Sequence, residues 1–301
     1  MSAAMRRRDF LKSAGGVAGT GFAIRVSGYA ARGEVPDASK RPRLLVGCCA
    51  YSYSKYLKSG QMTMEDFILK AVELGVDGVD ITTYWLKSTE PADLLRFRNF
   101  AYRNAMPFSG AAIATNMCLP EASKRAAEVE KIRQWVDRTE LLGAAHLRVF
   151  GGEVPEGATE EQAIGWVVEV MKSASDYAAK KGVILGIESH GGITRKADNI
   201  LEILRRVDSP YARCNLDVAN FPENPYPQIE ACVPYASHTH IRDHYGERKE
   251  PLDLDRVWQM FAKGGYRGYM SAEYEAEEDP MTGVPKLIAK IKALCQKYSS
   301  V

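Results

Sequence analysis

The amino-acid sequence predicts an α/β fold, a single-domain (β/α)₈ TIM barrel over residues 43–301. Short apolar segments alternate with helical segments eight times along the chain, which is typical of a parallel sheet. Four of the predicted helices are followed by glycine just before the next strand, at Gly75, Gly143, Gly182 and Gly264. Glycine at that point adopts the left-handed conformation that ends helices. No G-x-G-x-x-G follows the first strand, and eight units favour closure into a barrel over an open dinucleotide-binding sheet.

The predicted elements follow from local patterns. Short apolar runs predict strands, and apolar residues at helical spacing predict helices; Thr63, for example, is a suitable N-cap for the first helix. The predicted strands are 44–51, 76–82, 108–115, 145–150, 183–189, 213–218, 237–242 and 269–274. The predicted helices are 64–74, 91–104, 121–142, 160–181, 196–207, 228–233, 254–263 and 285–298.

The N-terminus has a different character. Arg6-Arg7-Arg8-Asp9-Phe10-Leu11-Lys12 precedes a weakly apolar stretch rich in Gly and Ala, so residues 1–31 resemble a twin-arginine-type signal peptide. The pattern departs from the usual one, because an arginine stands where Ser or Thr normally precedes the pair. The apolar stretch is too short to span a membrane, so we expect no stable membrane insertion. Residues 32–42 read as a linker. The expected location is periplasmic or extracytoplasmic; the alternative is a disordered basic tail.

Composition narrows the classes of partner. The chain of 301 residues is 46% hydrophobic and 26% charged, as in ordinary globular proteins. A net charge of only +2 argues against a nucleic-acid surface. The six cysteines show no CxxC spacing, which counts against a zinc ribbon. We therefore expect the cysteines to be buried and to pack as small apolar residues.

Acidic or imidazole side chains end the last four predicted strands. Glu188, Asp217, His240 and Glu273 are separated by 29, 23 and 33 residues, the length of one βα unit each. The carboxyl ends of barrel strands meet at one face, so these four side chains are aimed into one space. Three buried carboxylates are costly without compensation, which a divalent cation provides. Oxygen and nitrogen ligands suit Mn²⁺, Mg²⁺, Co²⁺, Zn²⁺ or Fe²⁺, and we predict one such ion.

Several sequence strings resemble the sugar phosphate isomerase/epimerase superfamily. This is the xylose isomerase-like TIM barrel, which includes ketose 3-epimerases and hydroxypyruvate isomerases. The strings are IESHGG at 187–192, LDVANF at 216–221, HTHIRD at 238–243, GYRGYMSAE at 265–273 and VDGVD at 76–80. The resemblance covers about residues 43 to 298, and its motif order is specific for the superfamily but not for a substrate. Carried over by position, it implies metal ligands at Glu188, Asp217, His240 and Glu273, with Glu188 and Glu273 as the acid/base pair.

The resemblance implies an isomerase or epimerase acting on a sugar, keto-sugar or inositol-like substrate. Proton transfer next to a carbonyl would proceed through a metal-stabilised enediolate. Two alternatives stay open: a metal-dependent lyase or dehydratase performing β-elimination on a keto-sugar or keto-glycoside, and a non-catalytic carbohydrate-binding barrel. Asn220 replaces a substrate-contacting histidine of the ketose epimerases, and Thr194 replaces their second acidic residue. Both departures count against ketose epimerisation itself. A small-molecule carbohydrate is the expected partner, and the sequence leaves open whether the protein forms a homo-oligomer.

Five residues are candidates for substrate binding. His190 shares a strand face with the fifth-strand ligand and lies nearer the barrel mouth. His238 shares a face with the seventh-strand ligand one layer deeper, where a hydrogen-bonded core histidine is equally expected. Arg148 ends the fourth strand, where it binds substrate or forms an internal salt bridge. Asn220 follows the sixth-strand ligand, and Arg248 fits the substrate-binding arginine that follows the seventh-strand histidine in the family.

Overall fold

The structure is a computed structural model that describes residues 43–299. Within this range eight parallel strands form a closed barrel, in the order β1-β10-β7-β6-β5-β4-β3-β2. The barrel strands are β1 (Leu44–Cys49), β2 (Gly78–Thr82), β3 (Phe108–Ala112), β4 (His146–Val149), β5 (Ile184–Glu188), β6 (Ala212–Asp217), β7 (Ala236–Ile241) and β10 (Gly268–Ala272). A short antiparallel hairpin, β8 (His244–Tyr245) and β9 (Glu250–Pro251), follows β7. The predicted (β/α)₈ barrel is confirmed, while the signal and linker predicted for residues 1–42 lie outside the described range.

Helices alternate with the barrel strands. They are α1 (Ser54–Ser59), α2 (Met64–Leu74), α3 (Pro91–Arg103), α4 (Ala122–Leu142), α5 (Glu160–Lys181), α6 (Ala197–Val207), α7 (Pro225–Cys232), α8 (Leu254–Lys263) and α9 (Pro280–Tyr298). The six-residue helix α1 and the β8–β9 hairpin were not predicted from the sequence, because segments this short show no periodicity. In the described part of the chain, every helix is too short or too polar to cross a membrane.

Two helices begin earlier than the sequence predicted. Helix α7 starts at Pro225 instead of residue 228, and α9 starts at Pro280 instead of residue 285. Proline is favoured at the first helical position, because its missing N–H has no intrahelical partner there. In α9 the side chain of Asp279 also accepts a hydrogen bond from the backbone N–H of Met281. The helix then continues through Pro285.

The predicted glycine terminators are confirmed at three of four positions. Gly75, Gly143 and Gly182 have φ of +62°, +78° and +68°, which is the left-handed conformation. Gly264 has φ of −77°, and the left-handed residue is instead its neighbour Gly265, with φ of +69°. Helix α8 itself ends at Lys263 as predicted, and only the left-handed residue lies one position later than expected.

The barrel interior is closely packed and positions the site. Apolar strand residues such as Ile187, Leu216 and Ile241 are fully buried. They alternate along their strands with the residues of the site, so they lie on the helix-facing side of the barrel wall. All six cysteines are buried and unpaired, in agreement with the sequence interpretation. Strand register sets the neighbours at the carboxyl ends, with Glu188 beside Asn215 on β6 and Asp217 beside His240 on β7.

Candidate active site

The four residues predicted at the carboxyl ends of the last four barrel strands lie together. Glu188, Asp217, His240 and Glu273 are 3%, 0%, 0% and 6% exposed. Each offers one ligand atom, and these atoms all lie within 4.8 Å of one another. Atoms held by one ion at about 2.1 Å are at most about 4.2 Å apart, so small side-chain adjustments suffice for a shared cation. Three carboxylates and one imidazole form a donor set that suits Mg²⁺, Mn²⁺, Zn²⁺ or related ions.

The electrostatics of this cluster also fit a cation. Burial raises the pKa of Glu188 to about 7 and the pKa of Asp217 to about 6, because a carboxylate loses hydration there. Burial opposes ionisation of Glu273 as well, but His240 beside it holds its pKa below the usual range. Burial lowers the pKa of His240, but Glu273, Cys49 and the hydrogen bond to Asp80 together outweigh burial and raise that pKa well above its ordinary value. The carboxylates therefore draw positive charge into the cluster, and a divalent ion would supply it.

One ring nitrogen of His240 forms a hydrogen bond with Asp80. The Nε2 atom lies 2.8 Å from Asp80 Oδ2, while Nδ1 lies 3.4 Å from Glu273 Oε2 and 3.9 Å from Glu188 Oε2. With Nε2–H donated to Asp80, the lone pair of Nδ1 faces the carboxylates, as a metal ligand requires. Sequence reasoning assigned no role to Asp80, although it belongs to the VDGVD string of β2.

Two buried arginines flank the carboxylates. Arg148 Nε lies 2.8 Å from Glu188 Oε2, so Arg148 forms an internal ion pair and also faces the cavity described below. Arg242 binds Asp217 and Glu275, and its Nη2 donates to Asn220 Oδ1 at 2.7 Å. The sequence analysis gave Arg242 no role in the site. Its position two residues after His240, on the same side of the strand, was the signal that could have indicated one.

A deeper polar layer supports the cluster. His238 is 1% exposed; its Nδ1 lies 3.1 Å from Asn215 Oδ1 and its Nε2 lies 3.1 Å from Ser109 Oγ. Asn215 Nδ2 in turn lies 3.4 Å from Glu188 Oε2. His238 does not line the cavity described below, so of the interpretations that the sequence left open the structure favours the one without direct substrate contact. Its two ring nitrogens are engaged inside the barrel below the cluster, which makes it a hydrogen-bonded core histidine.

A cavity of about 220 Å³, here called the central cavity, opens above the cluster. Its lining comprises Tyr51, Tyr84, Arg148, Phe150, Glu188, His190, Asn220, Arg242, Glu273 and Glu275. Three predicted substrate-binding residues, Arg148, His190 and Asn220, thus face it, and Asn220 Nδ2 also donates to Asp217 Oδ2 at 2.7 Å. Arg248 does not. Its side chain is 85% exposed in the β8–β9 hairpin and pairs with Glu250 at 3.0 Å, because the hairpin turns it toward solvent.

Sequence comparison defines the class of protein. Residues 68–294, about three quarters of the chain, match the family model described as the xylose isomerase-like TIM barrel. The chain belongs to this family. No curated protein matches the chain by sequence.

Solved structures with the same fold are distant in sequence. A D-psicose 3-epimerase from Clostridium cellulolyticum H10 has a TM-score of 0.67 and 14% identity over 85% of this chain and 98% of the other. A 3-keto-D-glucoside 4-epimerase from E. coli has a TM-score of 0.68 and 13% identity over 84% and 100%. A probable 3-DHS dehydratase from Bacillus anthracis has a TM-score of 0.65 and 17% identity over 83% and 98%. These similarities establish the fold.

Proposed function

We propose that the protein is a divalent-metal-dependent isomerase or epimerase acting on a keto-sugar. The observation that supports this proposal most directly is that Glu188 and Glu273 face the same small cavity. They extend from β5 and β10, which are separated in the barrel by β6 and β7. A substrate carbon held there would have one carboxylate on each side. One glutamate removes the proton next to the carbonyl, and the other returns a proton to the neighbouring carbon or to the opposite face. Membership of the family and the epimerases among its structural neighbours support an enzyme.

The residues that would hold the metal ion are Glu188, Asp217, His240 and Glu273. When bound, a divalent cation withdraws charge from a carbonyl oxygen and stabilises the negative charge that appears as a neighbouring proton leaves. Arg242 fixes Asp217 through its guanidinium, and Arg148 fixes Glu188. Glu188 and Asp217 are thereby held in one orientation before substrate arrives, which lowers the cost of reaching the reactive geometry.

The remaining cavity residues bind and orient the substrate. Tyr51 and Tyr84 add aromatic rings and hydroxyls to the cavity lining, and His190 packs on the Phe150 ring with centroids 4.4 Å apart. Aromatic faces contact the C–H surfaces of sugars, and the polar tips serve sugar hydroxyls. Asn220 offers hydrogen bonds where the ketose epimerases use histidine, which favours a substrate other than a simple ketohexose.

Proton exchange tests the proposal. The purified protein, loaded with Mn²⁺, Mg²⁺ or Co²⁺, is incubated with candidate keto-sugars in D₂O, and deuterium at the carbon next to the carbonyl is followed by NMR. We expect exchange that depends on the ion and falls at least about 100-fold in Glu188→Gln and in Glu273→Gln, the usual cost of losing an acid/base group. Glu277→Gln is the matched control, because Glu277 is exposed and outside the cavity.

The outcome also separates the alternatives. A new C=C bond without exchanged starting material supports the lyase or dehydratase, whose β-elimination would use the same two glutamates. Sugar binding with neither reaction supports a carbohydrate-binding barrel. Exchange that persists in both glutamine variants, or that needs no metal, refutes the proposal.

We also propose export through the twin-arginine-type segment at residues 1–31. The paired arginines and the Phe-Leu-Lys that follow support it. Cell fractionation of the full chain and of a variant with Arg7→Lys and Arg8→Lys tests it. Equal amounts of both proteins outside the cytoplasm would contradict an arginine-dependent route.

A further inference from the structure

A cysteine sulfur lies against the cluster formed by Glu188, Asp217, His240 and Glu273. Strand β1 lies between β10 and β2 in the barrel, and Cys48 on β1 pairs with Ala272 on β10. The next residue, Cys49, is therefore level with Glu273, and its Sγ lies 3.6 Å from Glu273 Oε1. Cys49 is 1% exposed, so this contact is shielded from bulk water.

Cys49 belongs to a second group of possible metal ligands. Its sulfur, one ring nitrogen of His240 and one carboxylate oxygen of Glu273 all lie within 4.8 Å of one another. His240 and Glu273 also belong to the four-residue cluster, so an ion held by these two residues lies beside the sulfur. Cys49 is outside the lining of the central cavity, which means that its sulfur would not occupy the side of the ion that faces a substrate.

The spacing of the sulfur and the carboxylate fits two ligands of one ion. Zinc–sulfur bonds are about 2.3 Å long and zinc–oxygen bonds about 2.1 Å, so at a tetrahedral angle the two ligand atoms are about 3.6 Å apart. This is the separation of Cys49 Sγ and Glu273 Oε1. Thr82 Oγ1 lies 3.7 Å from the same sulfur, and its hydroxyl can donate to a sulfur that has lost its proton. A weak S–H···O hydrogen bond has a similar length, so the test must measure the metal–sulfur bond itself.

We propose that Cys49 is a fifth ligand of the metal ion, and that its sulfur makes the site selective for Zn²⁺, Co²⁺ or Fe²⁺ over Mg²⁺ and Mn²⁺. This rests on the proposed function, in which the four-residue cluster holds the ion. Carboxylates and imidazole by themselves accept all of these ions, whereas a thiolate favours the softer ones. A cation that coordinates a thiol deprotonates it, and the proton leaves to solvent.

Cobalt absorption tests this assignment on the full chain. Co²⁺ bound to a thiolate gives sulfur-to-metal charge-transfer absorption in the near ultraviolet, which oxygen and imidazole ligands alone do not give. We expect this band in the unchanged protein, its loss in Cys49→Ser and its retention in Cys48→Ser. Cys48 is the matched control, because it is adjacent and also buried but points to the opposite face of β1.

Two further measurements use zinc and manganese. X-ray absorption of the unchanged protein with one Zn²⁺ per chain should show one sulfur at about 2.3 Å beside oxygen and nitrogen ligands at about 2.0–2.2 Å. This measurement needs no variant, so a folding defect in Cys49→Ser does not affect it. By calorimetry, Cys49→Ser should bind Zn²⁺ at least about tenfold more weakly, while its Mn²⁺ affinity stays within about twofold of that of the unchanged protein.

The results separate this inference from the proposed function. Zinc bound without a sulfur neighbour, a cobalt band that persists in Cys49→Ser, or equal loss of the band in Cys48→Ser overturns the Cys49 ligand and leaves the four-residue metal site intact. Equal losses of Zn²⁺ and Mn²⁺ affinity overturn the selectivity. A sulfur ligand without metal-dependent proton exchange into any keto-sugar supports Cys49 and refutes the proposed chemistry. Absence of both Co²⁺ and Zn²⁺ binding overturns both.

Discussion

Replacing Asp80 with asparagine tests how His240 is held for metal binding. In the structure Asp80 Oδ2 accepts the Nε2 hydrogen of His240 at 2.8 Å, and both side chains are at most 1% exposed. Asp80→Asn keeps the size of the side chain and one oxygen acceptor but removes the negative charge. The imidazole then becomes a weaker donor of electrons through Nδ1, and its orientation is less strongly fixed.

The magnitude follows from two independent scales. Hydrogen bonds to charged groups contribute about 1.5–3 kcal/mol. Loss of a carboxylate behind a metal-ligating histidine typically costs 10- to 100-fold in metal affinity, which is about 1.4–2.8 kcal/mol. Because the asparagine oxygen can still accept from Nε2–H, we expect about a tenfold loss for Asp80→Asn and about a 100-fold loss for Asp80→Ala.

The assay is calorimetric titration of the metal-free protein with Mn²⁺ or Co²⁺, with circular dichroism to verify folding. Asp77→Asn is the matched control. Asp77 lies just before the same strand at the other end of the barrel, where its Oδ2 accepts the backbone N–H of Val46 at 2.8 Å. We expect this variant to bind the ion with unchanged affinity.

Two results would refute the reasoning. One is a metal affinity of folded Asp80→Asn within twofold of the unchanged protein. The other is an equal loss in Asp77→Asn, which would show that the effect comes from general destabilisation of the barrel and not from His240.

Other perturbations act on stability. Arg242→Met leaves buried carboxylates without their cation, so we expect the unfolding free energy to fall by about 3–5 kcal/mol. Adding Mn²⁺ should then raise the Tm of this variant more than that of the unchanged protein. A Tm in the absence of metal that equals that of the unchanged protein contradicts this. Gly186→Ala would place a Cβ 2.2 Å from His146 Nε2, so it should lower the free energy of unfolding in urea by about 1–3 kcal/mol. Gly165 lies in α5 with open space around the added Cβ, so Gly165→Ala should raise the free energy of unfolding by about 0.5–1 kcal/mol. Equal effects of the two alanines would refute the packing argument. Hydrogen bonds from a lysine and a tyrosine lower the pKa of Asp279 to about 2, so its stabilising effect is complete above about pH 4 and is lost as pH falls through 2. Asp279→Asn should flatten the acid limb of stability against pH, and an unaltered slope would exclude this origin.

Much of the fold followed from local patterns. Strand and helix periods, together with glycines such as Gly75 and Gly143, defined the eight units, because these features depend on backbone geometry within a few residues. Errors arose where the local signal was short. The hairpin at 244–251 and the one-residue displacement to Gly265 depend on how the chain packs after the element has formed.

The partners of the site required the folded chain. Asp80 lies 160 residues from His240 in sequence, and the four-residue spacing argument contains nothing about β2. Arg242 and Glu275 come from neighbouring strands but meet only because their side chains turn toward each other above the cluster. Likewise, sequence alone left two interpretations of His238, and its contacts with Asn215 and Ser109 decided between them.

The sequence by itself thus determined which four residues converge. Each of the four lies at a strand's carboxyl end or within one residue of it, and strands of a parallel barrel bring their carboxyl ends to one face whatever the details of packing. Tertiary structure decided what surrounds them: the support of His240 by Asp80, the outward turn of Arg248, and the central cavity lined by His190. These depend on side-chain positions and loop paths across the barrel, where distance in space has no simple relation to distance along the chain.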